Sequence, residues 1–234
     1  MNRVLIITGA SRGIGLATAE LFAAEGYVAY SVSRTPAPSA GIRHIAADLT
    51  QPDWEQHIGA QLLAAVEGAD EVALVHNAGA IAKDSVVNFD LDQFRRVYEI
   101  NVVAPARLTH LLLPQMRAGS SVIYVGSTLS EMGVPGSLSY VTSKHALLGL
   151  MRSTCQDLAG TGVHTACVCP GFTDTEMLRA HVGGSAEVLA AIASGVTANR
   201  LIAPIEIART ILFSAQSAVL NGAIVHANLG QINH

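Results

Sequence analysis

Two constellations in this sequence carry the residue types and spacing for chemistry. Near the start, Thr8-Gly9-Ala10-Ser11-Arg12-Gly13-Ile14-Gly15 contains Gly9-x-Ser11-x-Gly13, the spacing of a nucleophilic serine on a strand-to-helix elbow. The same glycines also fit Gly9-x-x-x-Gly13-x-Gly15, a turn whose backbone donors suit the phosphates of a dinucleotide. Far downstream, Tyr140-Val141-Thr142-Ser143-Lys144 sets a phenol and an ammonium four residues apart, on one face of a helix. A phenol ordinarily titrates near about 10, and a neighbouring positive charge stabilises its phenolate, so such a pair can trade a proton with a substrate oxygen. The chain has only two lysines and five tyrosines, so the pairing is not a by-product of composition.

Elements must hold these residues, and the sequence alternates short apolar runs with longer helical stretches. Strands are expected near 3–8, 27–33, 42–46, 71–75, 121–126, 163–169 and 223–227, and helices near 13–25, 53–67, 92–117, 139–160 and 204–217. Runs such as VALV (72–75) and VIYV (122–125) are apolar throughout, as parallel strands covered on both faces require. The pattern predicts an α/β fold, a doubly wound parallel sheet (Rossmann fold) of about seven strands in a single domain over 1–234. Gly9–Gly15, Ser33-Arg34, Asp48, Asn77, Ser127 and Pro170-Gly171 each follow one of the first six strands. Ligands bind at that carboxyl edge of a parallel sheet. The same placement weighs against the elbow. Part of a hydrolase oxyanion hole comes from an earlier strand-to-helix loop, and none precedes the first strand. Gly15 has no role in an elbow but serves helix–strand packing in a phosphate turn, so Ser11 reads as a donor to a cofactor.

The stretch 175–203 departs from the alternation and reads as a substrate loop or lid. Its Met177, Leu178, Val182, Leu189 and Ile192 suggest an apolar wall, whereas Arg179 offers a contact for an acidic group. Composition narrows the class further. The 234 residues are half hydrophobic, yet no apolar stretch nears the roughly 20 residues needed to span a bilayer. Net charge is −4 with the basic residues scattered, which points away from nucleic-acid and membrane surfaces. VLII runs directly into TGASRG without a cleavage region, so no signal peptide is expected. Cys155, Cys167 and Cys169 make no disulfide framework and suggest reduced thiols in a cytoplasm. The nine histidines lack metal-ligand spacing, and no metal site is expected.

With these motifs in this order, the sequence resembles the classical short-chain dehydrogenases/reductases from end to end. The resemblance implies that TGASRGIG (8–15) is the cofactor turn, with Gly9, Ser11, Arg12, Gly13, Ile14 and Gly15 at the dinucleotide. Asp48-Leu49 looks like the adenine contact, and His76-Asn77-Ala78-Gly79 like the Asn-Asn-Ala-Gly motif, with His76 in place of its first Asn. Asn101, Ser127, Tyr140 and Lys144 match the catalytic tetrad. Tyr140 would exchange the proton, Lys144 support it, Ser127 hold the substrate oxygen, and Asn101 order a water leading to Lys144. Pro170, Gly171, Thr173 and Thr175 lie in the segment that looks like the nicotinamide support. The ending HANLGQINH lacks the family's common Gly-Gly.

The implied activity is hydride transfer between NADP(H) and a carbonyl or secondary alcohol, of the ketone or 3-oxoacyl type. A non-catalytic dinucleotide-binding sensor or scaffold is the alternative. NADP(H) is expected over NAD because Ser33 stands where an acid would bind the ribose, Arg34 follows it, Arg12 lies in the turn, and no acidic residue occurs from Gly26 to Ala47. The resemblance also implies a homotetramer or dimer built on the helices near 92–117 and 139–160.

Overall fold

The computed structural model of the chain describes residues 1–231, so the last three residues of the atypical ending lie outside the described residues. Seven strands form one all-parallel sheet: β1 (Arg3–Thr8), β2 (Val28–Ser33), β3 (Ile42–Ala46), β4 (Glu71–His76), β5 (Ser121–Val125), β6 (His164–Pro170) and β7 (Ala223–Ala227). Their order in space is β3-β2-β1-β4-β5-β6-β7, so the winding reverses between β1 and β4. The crevice above that reversal is where an open parallel sheet receives its ligand.

The period-two alternation of each strand divides the core. Val4 and Ile6 point to one face, with Leu74, Val122, Trp54, Leu62, Leu108 and Met151. Leu5 and Ile7 point to the other, with Val75, Ile123, Val168, Phe22 and Ile211. The first face is covered by α2 (Trp54–Val66), α4 (Ala104–Leu112) and α5 (Leu138–Asp157), the second by α1 (Gly13–Ala24) and α8 (Pro204–Gln216). Burial on both sides explains why the strands are apolar along their whole length. Between β6 and α8 lie two short helices, α6 (Glu176–His181) and α7 (Ala186–Ser194), capped by the hydroxyls of Thr175 and Ser185. Among the described residues, no helix is long and apolar enough to cross a membrane.

One expected element is corrected. The single helix near 92–117 is divided into α3 (Leu91–Tyr98), a π-helical turn over Glu99–Val103, and α4, which runs into a 3-10 turn over Leu113–Gln115. Pro105 supplies the reason. It has no N–H to donate to the carbonyl four residues back, which is that of Asn101, and its ring would crowd that carbonyl. The backbone widens instead, and Ala104 N–H bonds Glu99 O across five residues. Pro114 closes α4 by the same exclusion.

Candidate active site

The glycine turn is packed so closely that side chains are excluded. Gly9 sits at φ +73°, and a Cβ there would lie 3.0 Å from Ala78 Cα. A Cβ on Gly15 would collide with Gly9 O and with Asn77 Nδ2. That amide group donates to Thr8 O at 2.9 Å and Gly9 O at 3.0 Å. In return Thr8 Oγ1 accepts the N–H groups of Asn77 and Ala78, at 3.0 and 2.9 Å. The ends of β1 and β4 are thus bolted together across the winding reversal. The first turn of α1 holds no acidic residue and no capping side chain. A cleft beside this turn is lined by Gly13 (φ +58°), Leu16 and Ala17 of α1 and by Thr175 and Glu176. An uncapped helix N-terminus behind such a turn fits a dinucleotide's pyrophosphate. Among the described residues, no hydrogen bond joins Ser11 to a histidine, so the elbow lacks its base.

Just past the end of β3, Asp48 Oδ1 accepts from Thr50 N at 3.0 Å and from Thr50 Oγ1 at 2.8 Å. Burial opposes ionisation of Asp48, but these bonds and the Arg34 charge outweigh it and hold the carboxyl below its ordinary value. Leu49 is buried beside it. The Ser33 hydroxyl donates to Thr35 O at 2.8 Å, and Arg12 is drawn to Glu176 at 2.8 Å, at the start of α6. Arg34 is exposed at the end of β2.

The residues expected to do chemistry converge at the ends of β4 and β5. Lys144 is buried, and its Nζ lies 5.6 Å from the centroid of the Tyr140 ring while donating to Val125 O at 2.8 Å. A Cβ on Gly79 would lie 3.5 Å from Asn101 Oδ1 and 3.8 Å from Lys144 Nζ, so that glycine leaves room where the two meet. The Asn101 side chain is spent on protein. Its Nδ2 donates to Ala80 O at 3.0 Å and Ser143 Oγ at 2.9 Å, and its Oδ1 accepts Ala80 N–H at 2.8 Å. Ser143 Oγ in turn donates to Tyr140 O at 2.8 Å, which ties the π-helical turn to α5. Ser127 does not end β5 but lies two residues past it, as the cap of a 3-10 turn. Its oxygen accepts Leu129 N–H at 3.1 Å, leaving the hydroxyl proton free to donate.

On the far side, Gly171 follows Pro170 at the end of β6, where a Cβ would lie 2.8 Å from Asn228 Cα. Thr173 Oγ1 donates to Gly171 O at 3.1 Å, and the Thr175 methyl packs at Gly13. Arg179 lines the first cleft and is paired with Asp174 through two bonds of 2.7 and 2.8 Å.

Several supporting groups have roles that the sequence reading did not assign. The buried Asp84 accepts Ser139 N–H on both oxygens, at 3.1 and 3.2 Å, and so caps the helix bearing Tyr140. Cys167 and Cys169 lie 3.9 Å apart beneath Gly126, where a Cβ would come within 2.8 Å of either sulfur. The mutual hydrogen bond pushes the Cys167 thiol up and lowers that of Cys169. His76 is buried at the end of β4, with Nε2 2.8 Å from Thr109 Oγ1.

Comparison with known proteins places this geometry. The model of a protein family described as short chain dehydrogenase matches residues 3–183. The 3-oxoacyl-(acyl-carrier-protein) reductase FabG of Vibrio harveyi is 31% identical over 242 residues, covering 98% of this chain and 97% of that protein. Protein FixR of Bradyrhizobium diazoefficiens is 31% identical over 246 residues, covering 98% and 86%. Among solved structures, the ligand-free aldohexose dehydrogenase of Thermoplasma acidophilum superposes with a TM-score of 0.90 at 26% identity, covering 98% of this chain and 93% of that one.

Proposed function

The chain belongs to the short chain dehydrogenase family, and from that premise we propose that it is an NADP(H)-dependent oxidoreductase acting on a carbonyl or secondary alcohol, of the ketone or 3-oxoacyl type. The observation that carries the reading is the buried Lys144 ammonium beside the Tyr140 ring, with an uncommitted Ser127 proton two residues past β5. A sensor or scaffold would have no need of a buried, unpaired ammonium, whose desolvation is costly.

The nicotinamide, when bound, supplies the hydride. The chain provides the rest. Gly9, Gly13 and Gly15, with the amides of α1, seat the pyrophosphate. Asp48 and Leu49 border the adenine, and Asn77, Ala78 and Gly79 floor the cleft. Pro170, Gly171, Thr173 and Thr175 flank the nicotinamide. Ser127 donates to the substrate oxygen as negative charge grows there. Tyr140 gives its phenolic proton to that oxygen in reduction and takes it back in oxidation. Lys144 stabilises the phenolate between turnovers. Asn101 acts through its backbone. Pro105 withholds the α-helical donor from the Asn101 carbonyl, which is left to accept from a water on the path from Lys144 to solvent. Residues 175–203 serve as a lid over the substrate within the single domain. The three free cysteines suit a reducing compartment such as the cytoplasm.

Incubation with NADPH and a ketone panel should give turnover, and Tyr140→Phe should lower kcat by roughly 10²–10⁴-fold while NADPH binding, read by fluorescence, persists. Retention of most of kcat by Tyr140→Phe would overturn the mechanism.

A further inference from the structure

A second cleft, about 350 Å³, opens between the lid helix α6 and the body of the protein, lined by Lys83, Asp84, Ser85, Asn88, Ser137 and His181. Two basic side chains face each other across it. Lys83 follows β4 and has no ion pair among the described residues, and His181 ends α6. Burial and then the Lys83 charge lower the His181 pKa, so the two groups are close enough to oppose one another. The acid in the lining does not relieve them. Asp84 is only 5% exposed, and both its oxygens are turned to Ser139 N–H at the positive end of α5. Arg179 on the same lid helix is already neutralised by Asp174. The cleft therefore presents one ammonium without an ion pair among the described residues, that of Lys83, beside the His181 imidazole, with hydroxyl and amide groups from Ser85, Asn88 and Ser137 around it.

This cleft adjoins the reacting centre. Ser137 precedes Tyr140 by three residues, roughly 4.5 Å along the helix axis. Side chains on a helix lean toward its N-terminus, the end at which Ser137 stands. A carbonyl at the phenol and a group in the cleft are then within the span of one small molecule.

We infer that the Lys83–His181 cleft is a subsite for the carboxylate of the substrate, and that the substrate is a free oxo acid or the matching hydroxy acid. The inference rests on the oxidoreductase reading above and narrows it. A single ammonium suits a carboxylate better than a doubly charged phosphate. A carboxylate would draw a proton onto His181 and bridge the two basic groups, whereas an ester or thioester would leave them opposed.

The test uses the full chain with NADPH and a series of 3-, 4- and 5-oxo carboxylic acids, each beside its methyl ester. For the best acid, kcat/KM should exceed that of its ester by at least about tenfold, the range of a hydrogen bond to a charged group. Lys83→Met should abolish that advantage through KM and leave the ester unchanged, while Lys83→Arg retains it. Equal use of acid and ester, or an equal loss on both in Lys83→Met, would overturn the subsite. Binding of the same acids is measured by calorimetry, with and without NADPH, so that a chain that turns over no carbonyl still gives an answer. Binding lost in Lys83→Met upholds the subsite while the catalytic reading fails. Binding indifferent to Lys83 overturns the subsite on its own.

Discussion

The cofactor preference rests on a few side chains at the end of β2. A 2′-phosphate carries nearly two negative charges and favours guanidinium forks, whereas the ribose diol of NAD asks for a carboxylate. The three candidates are not equally available. Ser33 has given its proton to Thr35 O, and Arg12 is engaged by Glu176, both partners of that pair being largely exposed. Exposed pairs of this kind are weak, so a phosphate can compete for Arg12, but only Arg34 waits without an ion pair among the described residues. NADPH should therefore outperform NADH by at least about tenfold in kcat/KM, which needs only about 1.4 kcal/mol. Arg34→Asp should erase or reverse the preference. Equal use of both cofactors by the unmodified chain would refute it. His76 allows a second expectation. Burial lowers its pKa to about 3 from an ordinary 6.5, so the unfolded chain binds a proton in that interval that the folded chain refuses. Its contribution to stability is present above pH 6.5 and is lost as pH falls toward about 3. The slope for one such proton is about 1.4 kcal/mol per pH unit. Replacing it in His76→Asn should make the loss between pH 6.5 and 5 smaller by about 2 kcal/mol. Urea unfolding at the two pH values measures this, and parallel curves would exclude the effect.

At the scale of elements, what could be read from the sequence divides by whether the signal is local. Seven strands and the positions of their ends follow from apolar runs, because a strand buried on both faces has little choice of composition. With the strand ends came the placement of Gly9–Gly15, Asn77, Ser127 and Pro170-Gly171 on one edge of the sheet. The broken helix had a local signal too. Pro105 stands inside the stretch read as continuous, and its missing N–H falls four residues after Asn101. Apolar periodicity on either side masked it. Groups joined over long separations left no such trace. Asp84 and Ser139 are 55 residues apart, and nothing in either neighbourhood names the other. The same holds for Lys83 and His181, far apart in the chain, which line one cleft. Arg179, the residue the sequence singled out for an acidic ligand, is already paired with Asp174 five positions away. A charge's availability depends on its neighbours in space, and those are set by the fold.

For the molecule as a whole, the open question is what covers the outer face of α5. The apolar residues of this helix are mostly accounted for within the chain. Leu147, Leu148 and Met151 are buried, and Leu150 packs partly against the same core. The residues facing outward include the row His145, Gly149 and Arg152, spaced as one face of a helix. Gly149 is the informative member. A glycine in an exposed helix interior costs about 1 kcal/mol relative to alanine. Nothing among the described residues explains it, since a Cβ there would have none of their atoms within 4 Å. A small residue at the centre of an exposed face lets a second helix approach closely. The resemblance of the sequence to oligomeric dehydrogenases implies the same face, with the neighbouring π-helical turn leaving Val103 37% exposed beside it. We therefore propose self-association through α5 and α4, as a tetramer or dimer. Light scattering at micromolar concentration should give a multiple of the single-chain mass. Gly149→Arg should lower that mass while preserving the far-ultraviolet circular dichroism of the fold. Gly149→Ala should gain at most about 1 kcal/mol of helix stability, and less if a partner helix needs the space. A single-chain mass for the unmodified protein would remove the interface, and the glycine would then stand as an unexplained cost in its longest helix.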